Sequence, residues 1–184
     1  MKQKITWKQV YKQIDENTEE ISSPDLVSNP LVSVWFLTYN HVKFIEAALD
    51  SVLAQKADFP YEIVIGDDAS TDGTSEILDR YQSEHPDKIK ILRSTKNLRK
   101  YCGNALRNFR ACRGKYIAFL EGDDYWISDH KLKYQVEALE ANPHYSCSFH
   151  DTYVSFDDEP EEMIPWRDFS CIHSMKISDI IAPL

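Results

Sequence analysis

No apolar run in this 184-residue chain approaches the roughly 20 residues that span a bilayer. The first residues, Met1-Lys2-Gln3-Lys4-Ile5-Thr6-Trp7, lack the apolar core of a signal peptide. Basic charge is in short supply. The 21 Lys and Arg face 30 Asp and Glu, a formal net charge of -9. That argues against a nucleic-acid partner, because a phosphate backbone calls for a basic surface. A nucleotide stays open, since a metal ion can bring the positive charge. The cysteines, Cys102, Cys112, Cys147 and Cys171, are scattered and form no CxxC pair. They read as reduced thiols of a cytosolic protein rather than a disulfide framework or a zinc site. Internal repeats and low-complexity tracts are missing too.

What is present is the composition of a globular domain. Aromatics reach 12% and charged residues 28%, and the length suffices for one sizeable core. Residues 1–30 read as an appendage. Trp7, Val10, Tyr11 and Ile14 fall at helical spacing, and Ser22-Ser23-Pro24 and Asn29-Pro30 are breakers. From residue 31 the chain alternates. Strands are expected at 31–37, 61–66, 89–93 and 116–120. Helices are expected at about 42–55, from the turn at 69–74 to 84, at 103–112 and at about 130–141. Nearly continuous apolar strands alternating with helices predict a mostly parallel, doubly wound α/β sheet with helices on both faces. Beyond Pro143 the pattern weakens. A strand within 145–156, an acidic loop at 157–162 and the start of a new unit at 163 are expected. The expected organisation is therefore an appendage at 1–30, a core at 31–156 and an incomplete region at 157–184.

Three of the expected strands run into polar groups. The first ends at Thr38-Tyr39-Asn40-His41 and the second at Asp67-Asp68. The fourth, Tyr116 to Leu120, stops at Glu121-Gly122-Asp123-Asp124. In open α/β sheets ligands sit beyond the carboxyl ends of the strands. Asp123 and Asp124 are hard oxygen ligands suited to Mg²⁺ or Mn²⁺, ions that usually also hold substrate phosphates. Taken alone, an acidic Gly-Asp-Asp turn is equally a solvated turn or a helix cap. Its recurrence at three strand ends is the stronger signal.

Together these segments resemble the family 2 glycosyltransferases. The motifs are Val32-Ser33-Val34 leading to Thr38-Tyr39-Asn40, the run Glu62 to Gly66 with Asp67-Asp68-Ala69-Ser70-Thr71-Asp72-Gly73-Thr74, and Gly114-Lys115-Tyr116 through Asp123-Asp124. The resemblance covers roughly residues 31–156. It implies the GT-A (Rossmann-like) fold and, for many members, inverting transfer of a sugar from a nucleotide-sugar to an acceptor in polysaccharide biosynthesis, here bacterial. It implies a nucleotide-binding set of Tyr39, stacked on the base, Asp68 with Asp67 beside it, accepting the ring N–H of uracil or thymine, Lys100 near the diphosphate, and Glu121 toward the ribose. Glu121 departs from the family's usual Asp at the first position of its DxD motif. Asp123, with Asp124, would hold Mn²⁺ or Mg²⁺. The family's general base lies well downstream of the metal motif, so it is expected beyond Leu184. A saccharide or lipid-linked acceptor is expected, as is a cytoplasmic location, with association to the inner membrane face through a segment outside this chain. The alternative is a nucleotide-sugar-binding module without the base. A nucleotidyltransferase would show a glycine- and arginine-rich loop after its first strand, and a phosphoacceptor domain an acidic pair there; neither occurs.

Overall fold

A computed structural model of the chain describes residues 6–98, 102–156 and 159–165, in two units, Met1–Glu137 and Ala138–Leu184. The first opens with α1 (Trp7–Asp15) and β1 (Thr18–Ile21). It then alternates as β2 (Val32–Thr38), α2 (Ile45–Leu53), β3 (Tyr61–Asp67), α3 (Thr74–Glu84), β4 (Ile89–Ser94), α4 (Gly103–Ala111) and β5 (Tyr116–Glu121), and α5 (Lys131–Ala141) follows.

The sheet order is β1-β4-β3-β2-β5. Strands β2 to β5 pair in parallel, and β1 joins β4 antiparallel. Winding runs outward from β2 through β3 to β4, and then β5 returns to the other side of β2. That reversal opens a crevice beyond the carboxyl ends of β2 and β5, the place where such sheets bind ligands.

Successive strand residues point to opposite faces, and the two faces differ in chemistry. One carries Val32, Val34, Phe36, Ile63, Ile65, Ile89 and Ile91 into a single apolar core. Helix α2 covers it with Ile45, Ala48, Leu49 and Val52, whose i, i+3, i+4, i+7 spacing forms one apolar stripe. Leu78 of α3 and Leu132 and Val136 of α5 complete that layer. The other face, against which α4 lies, mixes apolar side chains, Trp35, Val64 and Leu92 among them, with polar ones. Gly66 carries no side chain there because a Cβ would come within 2.6 Å of Asn104 Oδ1. Asn104 Nδ2 donates to Gly66 O at 2.9 Å and Asn108 Nδ2 to Phe36 O at 2.7 Å.

Three expectations change. The appendage is not separate: Thr18 to Ile21 form the sheet's edge strand, pinned by β4 although Thr-Glu-Glu-Ile has no apolar periodicity. Helix α1 is capped by Thr6 with Gln9 in a capping box. It buries Val10 and Ile14 against Leu98 but leaves Trp7 and Tyr11 outside. In the second unit, β6 is only Tyr153–Phe156 and pairs antiparallel with β7 (Glu159–Pro165). The expected acidic loop therefore becomes strand from Glu159 onward, because the partner supplies the hydrogen bonds that its sequence does not advertise. Residues 166–184 lie outside the described residues. No described helix is long and apolar enough to cross a membrane.

Glu62 sits fully buried at the start of β3. Its Oε1 accepts from Ser33 Oγ at 2.6 Å and Arg113 N at 3.0 Å; its Oε2 accepts from Arg113 Nε at 2.9 Å. Removing the guanidinium would leave a buried carboxylate without its counter-charge, which costs about 3–5 kcal/mol. Arg110, by contrast, meets Asp15 at 3.2 Å with both side chains about half exposed, a pair worth ~1 kcal/mol or less. In urea unfolding, Arg113→Ala should therefore lose several-fold more stability than Arg110→Ala. Equal losses would show that the Glu62 pair is not a stability determinant.

Candidate active site

The carboxyl ends of β2 and β3 are laced together by the polar residues of the Asp67–Thr74 motif. Asn40, in the left-handed region at φ 58°, donates its N–H to Ser70 Oγ at 3.0 Å and accepts from Thr71 N through Oδ1 at 2.8 Å. His41 N donates to Thr74 Oγ1 at 2.9 Å, and Val42 N to Asp72 Oδ2 at 3.0 Å. Asp72 also accepts from Thr74 N and Thr74 Oγ1 at the start of α3. Burial acts against it, but these hydrogen bonds hold its carboxyl below the usual range.

The two aspartates of β3 have different tasks. Asp67 is fully buried, and its carboxylate accepts from Ser70 N at 3.0 Å, Ser75 Oγ at 2.6 Å and Arg93 Nε at 3.4 Å. It shapes the turn, and its oxygens are taken. Asp68 uses one oxygen, Oδ1, for Leu98 N at 2.7 Å and Ser94 Oγ at 3.2 Å. Among the described residues no donor is paired with its Oδ2. Burial raises the Asp68 pKa despite those bonds and the nearby Arg107 charge.

Arg107 lies beneath this pair, 4% exposed. Its Nη1 donates to Ser94 Oγ at 2.6 Å, and its Nη2 to Asp67 O at 3.1 Å and Asn104 Oδ1 at 2.5 Å. Burial pushes its pKa down to about 10 against the pull of Asp68 and Asp67. It is a buried counter-charge and does not face a ligand. Lys100 lies outside the described residues.

On β5, Glu121, Asp123 and Asp124 are exposed, and Gly122 between them is buried. Gly122 N donates to Leu37 O at 2.8 Å, which ties the acidic turn to β2. A Cβ on Gly122 would lie 2.8 Å from both His41 Nδ1 and Thr38 Oγ1. Both of those atoms are buried and have no hydrogen-bond partner among the described residues. His41 Nε2 stands 3.8 Å from Asp123 Oδ2. Tyr39 is half-buried at the rim of the same crevice. Trp126, the next aromatic but one after Asp124, is 7% exposed, belongs to the core and carries Lys131 Nζ 4.1 Å from its ring centroid, so its role is packing.

Although solvent reaches these side chains, partial loss of hydration at the turn, with the repulsion of Asp123 and Asp124, raises the Glu121 pKa, and partial loss of hydration with Asp123 raises that of Asp124, His41 acting against both. The turn holds more negative charge than the described residues around it neutralise. Among the described residues no three His, Cys, Asp or Glu form a closed metal cluster. The donor set instead fits a hard divalent ion held by one or two protein groups and completed by phosphate and water.

The position of His41 against this turn was not legible from the sequence, since 82 residues separate it from Asp123 (123 minus 41). Nothing in the spacing of Arg107 marks it as the buried counter-charge either.

A carboxyl whose folded pKa is raised binds its proton more tightly folded than unfolded, so its contribution to stability falls as pH rises through that window. Asp124→Asn should therefore raise the melting temperature of the metal-free chain at pH 7. The gain should shrink as pH is lowered past the ordinary Asp range, where the wild-type group is neutral as well. Differential scanning fluorimetry in EDTA measures this; a gain independent of pH would contradict the electrostatic account.

Comparison with known proteins agrees with this geometry. The family model described as Glycosyl transferase family 2 matches residues 33–177. The Escherichia coli protein named UDP-Glc:alpha-D-GlcNAc-diphosphoundecaprenol beta-1,3-glucosyltransferase WfaP is 34% identical over 69% of this chain and 48% of its own length. The crystal structure of S. aureus TarS 1-349 in complex with UDP superimposes with a TM-score of 0.54 at 29% identity, covering 61% of this chain and 32% of that one. The Pyrobaculum calidifontis mannosyltransferase PcManGT, in complex with GDP-Man and Mn2+, gives 0.52 at 30% identity over 70% of this chain and 37% of that one. The chain spans less than half the length of the curated relatives it matches. With its parallel sheet wound outward from β2 and its acidic turn at the switch point, the chain belongs to glycosyl transferase family 2 and has the GT-A fold.

Proposed function

We propose that this chain binds a UDP- or dTDP-linked sugar in the crevice and takes part in transferring that sugar, with inversion, to a hydroxyl of a saccharide or lipid-linked acceptor during cell-surface polysaccharide synthesis. The observation that carries the reading is the convergence of Tyr39, Asp68 and Glu121-Gly122-Asp123-Asp124 where the strand order reverses. The UDP held by TarS, the GDP-Man and Mn2+ held by PcManGT, and the UDP-Glc in WfaP's name support it.

In this reading Tyr39 stacks on the base. Asp68, anchored through Oδ1, turns Oδ2 to the ring N–H that uracil and thymine share. Asp67 contributes by shaping the turn beneath. Glu121 meets the ribose hydroxyls, reaching one methylene further than an Asp would. Lys100, outside the described residues, is assigned to the diphosphate. Asp123, with Asp124 beside it, holds Mn²⁺ or Mg²⁺, which when bound offsets the charge of the departing diphosphate. Bond formation requires the acceptor oxygen in line behind the anomeric carbon, with its proton passing to a carboxylate base. Each carboxylate described at this crevice already has a binding or structural task, which favours a second reading, donor binding without transfer. A transfer assay with a defined acceptor separates the two.

Calorimetric titration of UDP with and without Mn²⁺ tests the donor site. Asp123→Ala should abolish the metal-dependent part of binding. Tyr39→Ala should weaken binding by about 1–3 kcal/mol, the worth of one base–aromatic stack. Failure of both UDP and dTDP to bind, with or without Mn²⁺, would overturn the proposal.

A further inference from the structure

We infer that His41 is a second protein ligand, beside Asp123, for the divalent ion of this site, and that Thr38 fixes its tautomer. The inference rests on the reading above, in which Asp123 holds the ion. Three independent features of the β2–β5 junction carry it.

The first is distance. Two donors about 2.1 Å from one cation lie roughly 3.0 Å apart at a right angle and about 4.2 Å apart when opposite. His41 Nε2 and Asp123 Oδ2 are 3.8 Å apart, inside that span and too far for a hydrogen bond. The second is the other ring nitrogen. An imidazole that binds metal through Nε2 carries its proton on Nδ1, and that proton almost always has a fixed acceptor. His41 Nδ1 is buried and unpartnered among the described residues, and so is the hydroxyl of Thr38, a residue 2% exposed. Each atom lies 2.8 Å from where a Gly122 Cβ would stand. They do not hydrogen-bond to each other in this structure, but they border the same space, which glycine at position 122 leaves open, and a small turn of the ring would bring Nδ1–H to Thr38 Oγ1. The third is anchoring. His41 N is held by Thr74 Oγ1 at 2.9 Å, and His41 O accepts from Phe44 N and Ile45 N, each at 2.9 Å. The ring thus starts from a fixed backbone at the first turn of α2.

A consequence follows for metal choice. Carboxylates and phosphates suit Mg²⁺ and Mn²⁺ alike, whereas an imidazole nitrogen favours first-row transition ions. His41 then biases the site toward Mn²⁺ over Mg²⁺.

Pulsed electron paramagnetic resonance on Mn²⁺ bound to the full chain with UDP reads the ligand directly. The expected result is nitrogen modulation from an imidazole, lost in His41→Gln. That variant should also bind Mn²⁺ at least 10-fold more weakly while its Mg²⁺ affinity moves less. Thr38→Val, nearly isosteric, should retain the nitrogen signal and lower Mn²⁺ affinity by about 10-fold or more, as loss of an outer-shell partner does. Circular dichroism establishes that both variants fold, and Thr38→Val decides the matter should His41→Gln not. Mn²⁺ whose binding needs Asp123 but shows no nitrogen modulation would overturn the inference and leave the donor-site reading standing. Mn²⁺ bound neither by wild type nor in an Asp123-dependent way would overturn both.

Discussion

Concentrating like charge at one end of a sheet is the constraint on which this molecule turns. Asp67, Asp68, Glu121, Asp123 and Asp124 all emerge at the carboxyl ends of β3 and β5. The β3 pair is neutralised from within. Arg93 reaches Asp67 Oδ2 at 3.4 Å, and the buried Arg107 braces Ser94 and the Asp67 carbonyl while its charge acts on both aspartates. Ser94 in turn holds Asp68, so one guanidinium beneath the sheet orients a carboxylate at its rim. Among the described residues only the His41 ring acts against the mutual repulsion of the β5 carboxylates, and the raised pKa values of Glu121 and Asp124 express the imbalance. One half of the crevice is therefore preorganised, and the other concentrates carboxylates that the described residues leave largely unopposed.

The two faces of the sheet divide the work. The α2, α3 and α5 side is apolar and supplies the burial that folds the domain. The α4 side combines an aromatic cluster, Trp35 with Phe109 and Phe119, with polar groups that reach across the layer. Asn104 and Asn108 reach the backbone carbonyls of Gly66 and Phe36, and Glu62 takes Arg113 and Ser33. Buried polar groups are tolerated only when satisfied, and here satisfying them also sets where β2, β3 and α4 stand relative to the crevice. The segment before β2 adds to this. Thr18 pairs with Ser94, Thr95 N donates to Asn17 O, and Val10 and Ile14 pack on Leu98, whose N–H anchors Asp68.

Much of the architecture was legible in the order of residues. Strands such as Tyr61–Asp67 are buried on both faces, so their runs are nearly continuous in apolar residues, with Glu62 the exception, and α2 shows its inner stripe at helical spacing. The strand-end position of Asp68 and of the Glu121-Gly122-Asp123-Asp124 turn was legible for the same reason: a buried strand that stops at carboxylates marks the sheet's rim. Edge elements were not. Thr18–Ile21 carries no periodicity because one partner and solvent are all it faces, and β7 begins within a run that reads as acidic loop.

Local sequence, then, determined the alternation of strands and helices, the parallel sheet, the family and the acidic rim, because burial period and turn chemistry are short-range properties. Only the tertiary structure decided that Asp67 is spent on its own turn while Asp68, among the described residues, keeps an oxygen open. Only it buried Arg107 as a counter-charge and set Thr38 and His41 against Gly122. Those outcomes depend on which strands become neighbours, and β2 meets β5 across more than 80 residues of chain (Val32 with Tyr116, 116 minus 32 being 84). No pattern local to either strand encodes that meeting; the packing of the whole sheet brings it about.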